Sequence, residues 1–244
     1  MTTYVLVHGS WHGGWCWQRV ARRLRANGAE VHAVTLTGLG ERAHLLSRDI
    51  GLETHIQDVL GLVETEGLSD VVLVGHSYGG IVATAVADRA ARAVARVIYL
   101  DAVVPRNGEC LYDRAPAQIR EYFEDQARVG GDGWVVPAAA VTPQFLGLKD
   151  KEDIDWVMPR LTGHPIRTLR EPVRLGSSPP PMPRTYINCI GDKPFGQPQT
   201  AQAEGINDYH ELQTGHDAMV TVAESVAELF QRAASADEGE ERVA

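Results

Sequence analysis

The chain lacks long apolar runs, has few cysteines and carries no surplus of positive charge, and each of these absences removes a class of protein. No stretch approaches the roughly 20 consecutive apolar residues that a membrane-spanning helix needs. Only Cys16, Cys110 and Cys189 are present, widely scattered and without a CxxC pair. Such an odd, dispersed set fits small buried thiols in a reducing compartment better than a disulfide framework. The formal net charge of −9 speaks against nucleic acid as a partner, because phosphate backbones are met by a basic face that releases counterions. Part of that charge lies in Asp237, Glu238, Glu240 and Glu241, which read as a solvated acidic tail. Met1 leads almost directly into Tyr4-Val5-Leu6-Val7 without a basic, apolar and cleavable leader, so a cytoplasmic protein is expected. No membrane partner is expected either, and the chain reads as a monomer or homodimer.

What is present is an alternation of two periods. Tyr4 to Val7, Val31 to Leu36, Val71 to Val74, Val97 to Leu100, Arg184 to Ile190 and Tyr209 to Gln213 are short runs suited to strands. Between them come helical repeats. Trp17, Val20, Ala21 and Leu24 share one face and end at Gly28, while Leu52, Ile56, Val59, Leu60 and Val63 share another and end at Gly67. A small-residue helix is expected from about Gly79 to Ala93, another near Pro198 to Glu204, and a last one carries Val222, Val226, Leu229 and Phe230. Strand and helix alternating in this way predict an α/β fold with a mostly parallel sheet covered by helices on both faces. Over residues 105–183 the alternation stops, which predicts a lid inserted into a core of 1–104 and 184–232, with a disordered acidic tail over 233–244.

Gly75-His76-Ser77-Tyr78-Gly79 is a GxSxG sequence lying directly after the strand Val71 to Val74 and directly before a helix. That context makes it a nucleophile elbow, in which a serine is raised at the apex of a tight strand-to-helix turn and its neighbours must be small. The loop after the first strand, His8-Gly9-Ser10-Trp11-His12-Gly13-Gly14-Trp15, can bring backbone close to that serine. The N–H groups of Ser10 and Tyr78 are the expected oxyanion donors. His8 and His12 have no carboxylate or third ligand at a matching interval, so no metal is expected.

A serine hydroxyl needs a base, and the base needs a carboxylate to orient it. His216 lies after the last strand and before the last helix, where this chain order puts the base. For the acid, Asp192 in Gly191-Asp192-Lys193-Pro194 is the assignment and Asp101, at the end of Val97 to Leu100, is its competitor. Trp11, Trp134, Phe145 and Trp156 are expected to line the substrate pocket, with Tyr112, Tyr122 and Phe123 as further aromatic candidates.

With these motifs in order, the chain resembles the α/β-hydrolase family of plant methylesterases and hydroxynitrile lyases, and more closely the related bacterial carboxylesterases. The resemblance runs from Tyr4 to about Gln231 and is weakest in the lid. It implies a small helical cap inserted after the sixth core strand, no cofactor, and a small-molecule ester as substrate, often of a compact or aromatic acid. Hydroxynitrile lyases of this group carry a threonine in the oxyanion loop, a glutamate before the nucleophile and a lysine after the base histidine. This sequence has Gly9, His76 and Asp217 there, which favours ester hydrolysis over C–C lysis. A non-hydrolytic receptor using the same pocket is the alternative from a different class.

Overall fold

A computed structural model of the chain describes residues 1–176, 181–191, 205–206 and 208–235. Eight strands and nine α-helices are assigned among them, joined by short 3-10 turns. The strands are β1 (Thr3–Val7), β2 (Glu30–Val34), β3 (Val71–His76), β4 (Val94–Leu100), β5 (Val135–Val136), β6 (His164–Pro165), β7 (Arg184–Cys189) and β8 (Asp208–Leu212). The helices are α1 (Gln18–Ala26), α2 (Leu52–Thr65), α3 (Gly79–Arg89), α4 (Leu111–Arg114), α5 (Ala117–Gly130), α6 (Lys151–Val157), α7 (Arg167–Arg170), α8 (Ala218–Thr221) and α9 (Ala223–Ser235). Six strands form one sheet in the order β2-β1-β3-β4-β7-β8. Every pairing in it is parallel.

The sheet is built as its sequence dictates. All six residues of β3 are buried, which is the pattern of a central parallel strand covered on both faces. Helix α1 turns Val20, Ala21 and Leu24 inward and stops before Gly28, whose φ of 83° places it in the left-handed region. Helix α2 buries the expected face and ends before Gly67, at φ 62°. Strand β4 starts three residues earlier than the apolar run suggests, because Val94 pairs with Val71 across an irregularity and Arg96 reaches Thr185 at 2.9 Å. Arg96 interrupts the apolar run while the backbone continues the ladder. Helix α3 ends correspondingly early, at Arg89.

The long excursion leaves the sheet at Leu100 and returns at Arg184, where Val97 pairs with Arg184. It therefore follows the fourth strand of this sheet, not the sixth core strand as the resemblance implied, since only three strands precede β4 among the described residues. Among the described residues it contains four α-helices and a two-stranded antiparallel ribbon, Val135 with Pro165 and Val136 with His164. Helix α9 runs to Ser235, so the expected tail starts at least three residues too early at 233. The helix expected near Pro198 to Glu204 lies outside the described residues.

Strand order places the site. Strands β2 and β3 flank β1 on opposite sides, so the loops leaving the ends of β1 and β3 diverge and open a crevice at the carboxyl edge of the sheet. Register sharpens this. Val7 pairs with Gly75 and His76 with Leu100, so Gly9, Ser77 and Asp101 stand in one row just beyond the strand ends. Behind that row, α1 and α9 pack on each other, with Trp17 and Phe230 fully buried and their rings 6.2 Å apart. Phe230→Ala is expected to cost about 3–5 kcal/mol by opening a cavity there; urea denaturation of the two proteins measures it, and a loss below about 1 kcal/mol would contradict this packing.

Candidate active site

Ser77 occupies a φ of 53° between β3 and α3, a left-handed conformation that costs energy for any residue with a Cβ. The turn is tight enough that its neighbours must be glycine. A Cβ on Gly75 would stand 2.5 Å from the Gly79 carbonyl oxygen, and one on Gly79 would stand 2.6 Å from that of Val7. Gly9 is equally confined, since its Cβ would lie 2.9 Å from Cβ of Ser77 and 3.0 Å from Nδ1 of His76. Ser77 is pinned by its own backbone: its N–H donates to the Leu100 carbonyl at 3.3 Å, and its carbonyl accepts from Val103 at 3.0 Å and Gly80 at 3.1 Å.

His216 enters the same space from the loop between β8 and α8. Its Nδ1 lies 2.6 Å from Oδ2 of Asp101, a carboxylate with no solvent exposure. The other carboxylate oxygen accepts from the Cys189 N–H at 3.3 Å. Asp101 also has positive φ, 45°, which Asp tolerates better than most residues. The acid assigned from the sequence, Asp192, lies outside the described residues. The place on Nδ1 that it was expected to fill holds Asp101 instead, and an Nδ1 carrying one proton serves one such acceptor. The loop carrying His216 is itself anchored, because the Asp217 N–H donates to the Leu146 carbonyl at 3.0 Å and the His76 Nε2–H donates to the His216 carbonyl at 3.0 Å.

Ser77 and His216 open onto one cavity of about 710 Å³, its mouth included. No hydrogen bond joins the Ser77 hydroxyl to the ring among the described residues. Gly9, Ser10, Trp11 and His12 line the cavity from the loop after β1, and Leu111, Ile119, Phe123, Phe145, Leu146 and Leu169 complete an apolar lining. Arg114 reaches the same space and is paired with Glu109. Of the expected pocket residues, Trp11 and Phe145 are therefore at the cavity, and Phe123 joins them. Trp134 and Trp156 are not. Arg48 lies over the Trp134 ring, and Trp156 sits between the guanidiniums of Arg19 and Arg160, against Trp15. A tryptophan in a lid is as well used by a surface cation as by a substrate, and nothing in sequence spacing separates the two. Tyr112 is buried away from the cavity lining, and the Tyr122 hydroxyl donates to the Ala140 carbonyl at 2.9 Å.

Ser10 and Tyr78 are buried at the two arms of the crevice. Among the described residues, no backbone carbonyl accepts from either amide N–H. Tyr78 is held from its far end, where its hydroxyl lies 2.8 Å from Nδ1 of His55. Around this region most histidines are buried and uncharged. Burial pushes His8 and His76 down to about 3 and His55 down to about 4, and it drives His164 far below the ordinary histidine value. No cluster of three or more metal-ligating side chains exists among the described residues, and no helix there is long and apolar enough to cross a membrane.

Comparison with known proteins gives the family. Residues 4–229 match the model of the alpha/beta hydrolase family, and the chain belongs to that family. It is 40% identical to the carbendazim hydrolyzing esterase of Nocardioides sp. (strain SG-4G), over 93% of this chain and 98% of that one. It is 30% identical to methylesterase 10 of Arabidopsis thaliana, over 95% and 91% respectively. Among solved structures, an extracellular alpha/beta-hydrolase from a Paenibacillus species superposes with a TM-score of 0.83 at 22% identity, over 96% of this chain and 99% of that one. These full-length relationships to esterases identify the chain as a carboxylic ester hydrolase.

The buried neutral histidines set a pH dependence of stability. Below the ordinary value of about 6.5 the unfolded chain binds protons that folded His8, His55, His76 and His164 refuse. Their contribution is therefore present above pH 6.5 and is lost as pH falls, by up to about 1.4 kcal/mol per pH unit for each ring. Thermal or urea unfolding from pH 7 to pH 5 is expected to show falling stability and uptake of several protons on unfolding. A midpoint constant over that range would refute the buried neutral rings.

Proposed function

We propose that the chain hydrolyses its ester through an acyl-enzyme, with Ser77 as nucleophile, His216 as general base and Asp101 as the carboxylate that fixes the imidazole. The observation that carries this reading is the 2.6 Å contact of His216 Nδ1 with buried Asp101, at a cavity that also exposes Ser77 on its strained turn. Asp101 holds the proton on Nδ1, so that Nε2 presents its lone pair to the cavity. Substrate binding brings the Ser77 hydroxyl within reach of that nitrogen, a contact that commonly tightens only in the bound complex. Attack on the carbonyl then yields a tetrahedral oxyanion, received by the Ser10 and Tyr78 N–H groups and favoured by the start of α3. His216 passes the proton to the departing alkoxide. In the second half it activates water against the acyl-enzyme.

The excursion over 105–183 serves as the cap of this site in our reading. Its α4, α5 and α7 contribute Leu111, Ile119, Phe123 and Leu169 to an apolar wall, which suits a compact, largely apolar acyl or alkoxy group. The substrates named for the relatives, carbendazim and methyl esters, define the first panel to be tried.

Hydrolysis of p-nitrophenyl butyrate tests the assignment. Ser77→Ala is expected to lower kcat at least about 10³-fold, and Asp101→Asn about 10³–10⁴-fold by leaving the wrong tautomer, with folds intact by circular dichroism. Retention of the wild-type rate by Ser77→Ala would end the serine mechanism. Were Asp192→Asn to abolish turnover while Asp101→Asn kept it, the carboxylate would have to be reassigned.

A further inference from the structure

The oxyanion loop is held by two histidines that the reaction itself does not use. Trp11, next to the Ser10 donor, has φ 64°, a conformation strongly disfavoured for a bulky side chain and costing about 1–3 kcal/mol. Something must impose it. All the polar groups of Trp11 are bound by the excursion: its indole N–H donates to the Val136 carbonyl at 3.1 Å, its carbonyl accepts from Thr162 N–H at 2.9 Å, and its amide N–H donates to Nδ1 of His164 at 3.4 Å.

Partners fix the protonation of both rings at this peptide. The Trp11 N–H needs an acceptor on Nδ1 of His164, so the proton of the neutral ring sits on Nε2 and is donated to the Thr168 hydroxyl at 2.7 Å, an oxygen that itself lies 2.8 Å from the Pro165 carbonyl. Its Nδ1 is then a bare lone pair, and it faces the Trp11 N–H. His12 is the opposite case. Its Nδ1 lies 2.8 Å from the Ser10 carbonyl and its Nε2 lies 3.1 Å from Oδ2 of Asp217. A carbonyl and a carboxylate both only accept, so both nitrogens carry protons and the ring is a cation.

That cation is 1% exposed and its carboxylate 0%. Burial works against the charge, but Asp217 outweighs it and holds His12 above the ordinary histidine value. The same attraction holds Asp217 below the usual carboxylate value in spite of its burial. His12 also stacks on Trp15, with ring centroids 5.3 Å apart, a favourable placement for a positive ring. The other titratable groups around the pair are His8, His76, His216 and Cys16. None of these supplies a second carboxylate.

We propose that the Ser10–Trp11 peptide is clamped between an imidazolium, His12 held by Asp217, on its carbonyl and a neutral imidazole, His164, on its N–H. The clamp fixes the plane that follows the Ser10 N–H and thereby aims that donor. His12, Asp217 and His164 are positioning residues for the oxyanion site. This rests on the hydrolytic reading above, but its protonation pattern is measurable without turnover.

Two measurements test it. Nitrogen-15 spectra of histidine-labelled protein at about pH 7.5, one unit above the ordinary histidine value, are expected to show His12 protonated on both nitrogens and His164 on Nε2 alone. Asp217→Asn is expected to remove one His12 proton. A neutral His12 in the wild type would overturn the clamp, whatever the fate of the esterase mechanism.

The second measurement compares a trifluoromethyl ketone, whose adduct with Ser77 places an oxyanion in the hole, with the corresponding amide, which binds without one. His164→Ala is expected to lose about 10–100-fold in ketone affinity and in kcat, a fraction of the loss seen on deleting a donor outright, with amide affinity and KM within about twofold. His164→Asn, whose side-chain oxygen can accept from Trp11, is expected to recover most of the loss. Equal loss of both ligands, or no loss of ketone affinity in either His164→Ala or Asp217→Asn, would overturn the positioning role. Should His164→Ala fail to fold, the Asp217→Asn comparison decides. Failure of the ketone to form an adduct with Ser77 in the wild type would instead count against the serine mechanism.

Discussion

One strained residue organises the site. Ser77 can be presented to a cavity only if the chain turns from strand to helix within it, and that turn leaves no room around it. Gly75, Gly79 and Gly80 each stand where a Cβ would come within 2.4–2.6 Å of a backbone oxygen. Such contacts are closer than packed atoms tolerate, so the glycines are conditions of the bend and not consequences of it. The strain persists because the central strand, buried on both faces, and helix α3, buried along most of its length, overdetermine the backbone on each side.

Around the bend the protein sorts imidazoles by what they touch. Burial alone would keep every ring neutral. His8 donates to Gly9 carbonyl and accepts from Leu36 N–H, and His55 donates to Thr37 carbonyl opposite the Tyr78 hydroxyl. In each, one nitrogen meets an acceptor and the other a donor, so a neutral ring satisfies both. His12 meets two acceptors, one of them a carboxylate, and needs both protons. The distinction rests on one residue, Asp217, which comes directly after the base. The loop carrying His216 and the loop carrying Ser10 are thus tied by a buried pair, and removing Asp217 would leave His12 to shed its second proton and lose the link.

Much of this was legible in the sequence because it is local. The strand, the GxSxG turn and the following helix are contiguous, and the apolar runs and glycine stops gave the sheet and its helices. The roles that depend on pairing across the chain were harder to read. Asp101 was visible as an acid at a strand end, but its contact with His216 depends on the β3–β4 register and on a loop 115 residues away in sequence. Trp134 and Trp156 carry the composition of a pocket and the geometry of a surface stack. His164 sat in the least regular stretch, and its place beneath Trp11 follows from a two-residue ribbon too short to leave a period.

The three residues that depart from the lyase pattern, Gly9, His76 and Asp217, finally, all stand at this site. A residue with a Cβ at position 9 would press on both the serine and Nδ1 of His76, at 2.9 and 3.0 Å. Glycine at 9 is therefore set by the serine and by the histidine before it. At the third position the comparison turns on charge. A lysine after the base brings a cation of its own, whereas Asp217 brings an anion and fixes a cation on His12 beside Ser10. The cation proposed on His12 is spent on a peptide carbonyl and a carboxylate. It is buried with both protons engaged, so it can orient the loop without being offered to a leaving group.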